Sequence, residues 1–308
     1  KHDGETLWDK LQYSLPTNML AEQRVRVHSL SAAIPVLSQG IPFFQVGIDL
    51  LRSKSMDRNT YNSGDWFNKI DFTKMSNNWN IGLPMQQDNS DWDTIGAISG
   101  NANTAVTASN IALSEQVFKE FVKIRSTSKL FRLNDSAQIS RRIGFHNTGA
   151  SQTPGVIVMS IDDGVGVTDL DANYDAIVVV INGTDADVTH SVTSATGFTL
   201  HPIQVNSADS QLTNASFTSN ETQGTFSVPA YTAAVFVKTQ SGAQGTGLAA
   251  DPDFVNSPFT DTPIYISALG NNTELAQMTY DDRGSYKVSQ TLNSGDYEFN
   301  LGDSEFTN

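Results

Sequence analysis

The sequence of 308 residues contains no cysteine, which excludes disulfide staples and thiolate metal sites. It is also poor in positive charge: 19 Lys and Arg stand against 33 Asp and Glu, for a net charge of −14. Those basic residues do not cluster, so the positive stripe that a nucleic-acid binder needs is missing. No run of about eighteen apolar residues occurs, and no membrane span is expected. Lys1-His2-Asp3-Gly4 is not followed by an apolar segment of the signal-peptide kind, so any export signal is expected upstream. Negative charge of this size suits a neutral, hydroxyl-rich ligand, although it also serves plain solubility.

Apolar residues make up 38% of the chain, with 16 Phe, 8 Tyr and 4 Trp, enough to bury substantial cores in two or three domains. Val27, Leu30, Ala33, Ile34 and Leu37 recur at helical spacing and predict a helix over Ala21–Gln39, stopped by Gly40 and distorted near its end by Pro35. Ile41–Val46 is a short apolar run of the length of a buried parallel strand. Arg52–Asn110 is long and polar, the kind of loop that is either functional or disordered. Tyr61, Trp66, Trp79 and Trp92 argue against disorder there. A second helix is predicted over Ile111–Thr127, with Val117, Phe118, Phe121, Val122 and Ile124 on its buried face.

Helix, strand, long loop and helix is the order found at the end of a (β/α)8 barrel. A whole barrel needs about 250 residues, so residues 1–133 cannot close one. Their apolar faces are expected to lack partners and to leave this half only partly ordered. From Ala137 onward the pattern becomes short β-branched runs, namely Val156–Ile161, Ala176–Ile181 and Ala233–Val237, separated by turn clusters such as Asp162-Asp163-Gly164. That is the signature of an antiparallel sandwich. Gln240–Ser257 reads as a linker. Pro263–Ile266, Gly284–Val288 and Asp296–Leu301 read as strands of a further small module. The predicted fold class is an α+β multidomain fragment.

Several stretches, in order, resemble the pullulanase and limit-dextrinase branch of glycoside hydrolase family 13. They are Lys1–Asp9 (KHDGETLWD), Gly40–Phe43 (GIPF), Leu51–Ser55 (LRSKS), Ser63–Asn68 (SGDWFN), Asn77–Asn80 (NNWN), Ser128–Leu133 (SKLFRL) and Val156–Asp163 (VIVMSIDD). The resemblance implies that 1–133 is the C-terminal remnant of a catalytic barrel, with Lys1 close to the end of its seventh strand and Ile41–Val46 as its eighth. It further implies a family C-terminal all-β domain at 134–240, a linker at 241–257 and a partial appended β-sandwich module at 258–308.

Retaining hydrolysis of a glycosidic bond takes a nucleophilic carboxylate and an acid/base carboxylate. In this family both lie on earlier barrel strands that this chain does not contain, so the fragment alone is expected to be inactive. His2-Asp3 matches the family's fourth signature motif. The resemblance makes Asp3 the transition-state stabiliser that grips sugar hydroxyls and His2 a donor to the same sugar, whereas pattern alone would make both a solvated chain end. Arg58, Asn59, Tyr61, Asp65 and Trp66 are implied to border the glucan cleft. Asn59 stands where close relatives often carry Asp, and Phe67 is read as packing the loop down.

The implied activity is cleavage of α-1,6-glucosidic bonds in pullulan, branched dextrins or glycogen, by a secreted, cell-surface or periplasmic enzyme whose N-terminal part lies upstream. The resemblance leaves room for calcium in the intact enzyme but fixes no cofactor here. Asp169-Leu170-Asp171-Ala172-Asn173 only imitates the start of a calcium loop, since Tyr174 stands where Gly is needed, and is read as a polar turn. His146, His190 and His201 lack metal spacing and are read as structural or surface residues. The competing reading is a stand-alone carbohydrate-binding or structural β-sandwich protein.

Overall fold

The computed structural model of the chain describes residues 4–248, 265–268, 274–280, 286–288 and 299–302. Its helices are α1 (Leu7–Ser14), α2 (Ala21–Leu37), α3 (Asp65–Asn68), α4 (Trp92–Ser99), α5 (Ala108–Thr127), α6 (Ser136–Arg142) and α7 (Pro202–Val205). The strands up to residue 240 are β1 (Ile143–Phe145), β2 (Val156–Asp162), β3 (Tyr174–Asn182), β4 (Val188–Thr193), β5 (Phe198–Leu200), β6 (Ser216–Ser219), β7 (Gln223–Val228) and β8 (Thr232–Thr239).

Two antiparallel sheets form from these strands, one in the order β1-β2-β3-β8-β5 and the other β4-β7-β6. In the larger sheet Val179 of β3 lies between Met159 of β2 and Val235 of β8. Strand geometry sends alternate side chains to opposite faces. Ile177, Val179 and Ile181 accordingly join one core with Met159, Ile161, Ala233, Val235 and Val237. Ala176, Val178 and Val180 join the other core with Phe198, Phe226, Ala234 and Phe236, between the two sheets. β3 is covered on both faces, which is why its sequence is an unbroken apolar run rather than an alternation.

The first of those cores is closed by helices. Leu30, Ala33, Val36 and Leu37 of α2 and Val117, Phe121 and Ile124 of α5 pack on the larger sheet. The apolar faces expected to lack partners therefore have one, and the core runs continuously across position 133. α5 opens on a reciprocal cap, in which Asn110 N–H donates to the Thr107 hydroxyl and Thr107 N–H to the Asn110 side chain. Near its end, Arg125 donates to the carbonyls of Val36 and Ser38 and, at short range, to that of Gly40. One helix thus satisfies the orphan carbonyls of the other.

The predicted strand at Ile41–Val46 is not formed, and the segment runs as irregular chain. A strand needs a neighbour for its N–H and C=O groups, and the described residues supply none beside it. Ile41 is 88% and Phe43 93% exposed, while Phe44 turns inward to meet Phe118 edge-on with ring centroids 5.3 Å apart. The buried face of α2 also differs from the predicted one: Val25, Ala32 and Val36 are buried, and Ile34 is exposed. This helix is covered from two sides, so no single stripe describes it.

Of the predicted linker, residues 241–248 are fastened down instead of free. Val165 N–H donates to Gly245 O, Gly245 N–H to Asp175 and Leu248 N–H to Asp162. The rest of the linker lies outside the described residues. Beyond it, β9 (Tyr265–Ala268) pairs with β10 (Glu274–Gln277) and β13 (Phe299–Gly302), and β11 (Thr279–Tyr280) pairs with β12 (Tyr286–Lys287).

Candidate functional site

The candidate site begins at the N-terminal end of α1. Thr6 caps that helix by accepting Asp9 N–H, and Trp8 is wholly buried in a small core with Val25, Leu50, Leu51 and Ile111. With Trp8 fixed, Asp9 points into the loop that follows Leu51. Its Oδ1 accepts the Ser53 hydroxyl at 2.5 Å, and its Oδ2 accepts the backbone N–H groups of Lys54 at 2.8 Å and Met56 at 3.2 Å. Asp9 is completely buried, and that burial pushes its pKa up to about 6 in spite of the donors that hold it down. Leu51, Ser55 and Met56 all have left-handed backbone, with φ of 55°, 50° and 65°. Such residues cost on the order of 1–3 kcal/mol each and persist only where surrounding bonds over-determine them.

From Met56 the chain enters the stretch with the predicted sugar-contacting residues. Arg58 carbonyl accepts Gly4 N–H at 2.7 Å, and its guanidinium Nε lies 3.3 Å from Glu5 Oε1. Asn59 donates its N–H to Asp57 at 2.8 Å and its side-chain amide to Asp88 at 3.3 Å. Arg58 is thereby held against the chain at Gly4 and Glu5, and Asn59 against Asp57 and Asp88. His2 and Asp3 themselves lie outside the described residues.

Tyr61, Asp65 and Trp66 are on the surface, with Tyr61 85% and Trp66 62% exposed. Phe67 is buried, as its packing role requires. The Trp66 ring lies over Gly64, whose φ is +105°, so closely that a Cβ there would meet ring atoms at 2.7 Å. Asn78 ties this turn down by donating to the carbonyls of Trp66 and Phe67. The loop is ordered by side chain-to-backbone bonds of this kind rather than by regular structure.

Several residues that the sequence does not single out support the site. Glu5 holds Arg58 and Asp88 holds Asn59 and Ser63, while Asn89 donates to Met56 O and to the Tyr13 hydroxyl. Asp57 is buried, and its Oδ2 has no hydrogen-bond partner among the described residues. Burial pushes the nearby Lys54 ammonium below its usual pKa, and Asp57 pulls it back. Asp9 falls inside a family-like motif, but nothing in local spacing reveals that its partners lie more than forty residues along the chain.

The remaining candidates are structural. Asp171 accepts from the backbone and side chain of Asn173, so the calcium-like segment folds as a local Asx turn. His146 meets the Ser160 hydroxyl at 2.8 Å, and His190 reaches the His146 carbonyl at 3.0 Å. His201 caps α7 through its ring nitrogen, and burial pushes its pKa down to about 4. Among the described residues no cluster of His, Asp and Glu could hold a metal ion, and no helix is long and apolar enough to cross a membrane.

Comparison with known proteins covers most of the chain. Residues 74–239 match the profile described as "Alpha-1,6-glucosidases, pullulanase-type, C-terminal". Pullulanase 1, chloroplastic, of Arabidopsis thaliana is 40% identical over 248 residues, covering 78% of this chain and 26% of the plant protein. A pullulanase of Klebsiella pneumoniae is 36% identical over 250 residues, covering 80% of this chain and 23% of its own. The crystal structure of Klebsiella pneumoniae pullulanase complexed with maltotriose superposes with a TM-score of 0.74 at 36% identity, over 82% of this chain and 24% of that one. The chain thus spans about a quarter of the length of these relatives.

Proposed function

We propose, from the premise that this chain belongs to the pullulanase-type α-1,6-glucosidases and carries their C-terminal region, that it completes a starch-debranching glycoside hydrolase of family 13 acting on pullulan, branched dextrins or glycogen. In this reading residues 1–133 are the C-terminal remnant of a (β/α)8 barrel, in which Ile41–Val46 would pair as a strand only beside the upstream strands, and 134–240 the C-terminal β-sandwich. Residues 241–257 then connect to an appended module at 258–308. The exposed Ile41, Phe43 and Val46 would be covered by barrel strands from upstream sequence, a natural partner for exposed apolar side chains.

The observation that carries the reading is the hydrogen bond from Gly4 N–H to Arg58 O. It draws the chain next to His2-Asp3 and the loop with Arg58 and Asn59 to one place, as a shared sugar subsite requires. Asp3 would hold sugar hydroxyls more tightly in the oxocarbenium-like transition state than in the ground state, which is how a group that neither attacks nor donates a proton still raises the rate. Arg58 and Asn59 would hydrogen-bond the adjoining sugar, and exposed Trp66 and Tyr61 would offer apolar faces to pyranose rings. Asp65, at the start of α3, is a further hydroxyl acceptor on the same rim. The nucleophile and acid/base carboxylates would come from upstream, so the 308-residue chain alone would bind glucan without cutting it. Export from the cytoplasm, or confinement to an organelle as the name of the plant relative states, is the location this reading carries.

The test is reducing-sugar release from pullulan by the chain alone and by the chain joined to upstream sequence of its own reading frame. Only the longer protein is expected to be active. In it, Asp3→Asn should lower kcat/KM by about a thousandfold or more with unchanged thermal stability. Pullulan hydrolysis by the 308-residue chain itself, abolished by Asp3→Ala, would overturn the reading.

A further inference from the structure

We propose that Asp9 is the positioning residue of the glucan-contacting loop: it holds residues 53–57 so that Arg58 faces the chain at Gly4. This rests on the reading of Arg58 as a sugar contact, and it gives a role to a residue that does not touch it.

Successive backbone donors converge on one carboxylate. Lys54 and Met56 donate directly to Asp9 Oδ2, while Ser55 donates to the Ser53 hydroxyl, which itself donates to Asp9 Oδ1. Ser55 and Met56 are both left-handed. Consecutive N–H groups in such a turn form a concave anion site, here occupied by a side chain of the same molecule. Hydrogen bonds to an ionised acceptor are the strong kind, and two oxygens are needed to serve donors on both sides of the turn. Leucine or alanine at position 9 would leave these donors buried and unmet.

The constraint then passes along the chain. Asp57 N–H closes a turn on Lys54 O, Asp57 accepts Asn59 N–H, and Arg58 O accepts Gly4 N–H. The other reference point lies four residues before Asp9, where Glu5 meets the Arg58 guanidinium. Backbone and side chain of Arg58 are therefore both registered to the start of α1, which Trp8 fixes in its core.

Two measurements on the 308-residue chain separate this role from general stability. The first is amide hydrogen exchange. Asp9→Ala should speed exchange at Lys54 and Met56 by about tenfold to a hundredfold, the worth of a lost hydrogen bond to a charged group, while β3 and β8 keep their protection. Asp9→Asn should exchange more slowly at Lys54 and Met56 than Asp9→Ala, because its one amide oxygen can still accept both N–H groups although the charge and the second acceptor are lost. The second is maltotriose affinity, followed by the backbone amide shifts of residues 58 and 59, in a cycle of Asp9→Ala, Arg58→Ala and the double variant. Asp9→Ala should weaken binding, and it should add nothing once Arg58 is alanine.

Unchanged exchange at residues 54 and 56 in Asp9→Ala overturns the proposal, as does a loss of affinity that adds in full to that of Arg58→Ala. If Asp9→Ala does not fold, Ser53→Ala removes only the hydroxyl link, and about tenfold faster exchange confined to Ser55 supports the same arrangement. Arg58→Ala with unaltered maltotriose binding would sink the sugar reading of the loop, whereas the exchange measurement involves no sugar and still decides whether Asp9 sets the loop.

Discussion

Arg142 and Asp163 form an ion pair in which neither side chain reaches solvent. The guanidinium also serves Gln138 and the carbonyls of Asp162 and Thr168, and the carboxylate also accepts N–H from Leu170 and Asp171. Every branch of the pair is matched, so α6, the end of β2 and the 166–171 turn are locked together. Removing one partner strands a buried charge, at a cost of about 3–5 kcal/mol. Arg142→Met and Asp163→Ala should each lower the urea midpoint accordingly, and the double variant should lose less than the two losses added.

Phe43 and Phe44 are neighbours with opposite fates. Phe43 is exposed, while Phe44 packs on the helix-covered core against Phe118. Phe44→Ala should cost about 2 kcal/mol, below the range for a fully buried Phe because part of the residue stays exposed. Ile41→Lys with Phe43→Lys should leave stability within about 0.5 kcal/mol and reduce self-association in sedimentation velocity, because it breaks the exposed apolar run. Equal sedimentation of wild type and the double variant would show that this run does not drive association.

The contrast between β3 and Ile41–Val46 shows what the residues alone can say. Both read as short apolar runs. Ala176–Ile181 finds a strand on each side and a core on each face, so the reading holds. Ile41–Val46 finds no strand beside it in the described residues, and pairing is a property of the neighbour as much as of the run. The α2 face departs from the periodic pattern at Ile34 for a related reason, since the helix serves the sheet on one side and the Trp8 core on the other. Within the loop Phe67 is buried and Trp66 exposed, and the close approach of the Trp66 ring shows why a glycine stands at position 64. Asp9 stayed hidden because hydrogen bonds between distant segments leave no periodic trace.

Gly64 gives a direct test of the rim. Alanine there would have to adopt φ near +105° and would push into the Trp66 ring. Gly64→Ala should cost about 1–2 kcal/mol or shift the 63–67 turn. If Trp66 stacks on sugar, this variant and Trp66→Ala should weaken maltotriose binding to a similar extent, by about fivefold to tenfold on the usual worth of one aromatic contact. Normal binding by Trp66→Ala would remove it from the rim.

The pH dependence of stability should come from two neighbours of Trp8 that act in opposite directions. Asp9 has its pKa raised to about 6 by burial, whereas unfolded it titrates near 3.8. Between those values the native state holds a proton that the unfolded chain has released, so stability from this group falls as pH rises from about 4 to 6. His28, buried with its ring 6.1 Å from that of Trp8, has its pKa pushed down to about 3 from 6.5. Across that span the unfolded chain binds the extra proton, so stability from His28 rises with pH. Each group alone contributes a slope of about 1.4 kcal/mol per pH unit within its window. From about pH 4 to 6 the two slopes oppose each other, and His201 adds a further slope that rises with pH between about 4 and 6.5. Asp9→Asn should therefore steepen the gain in stability with rising pH, and His28→Gln should flatten it. Urea unfolding at half-unit steps from pH 4 to 7 reads both slopes. Parallel curves for wild type and Asp9→Asn would mean that Asp9 titrates as it does in the unfolded chain, with its donors offsetting the whole effect of burial.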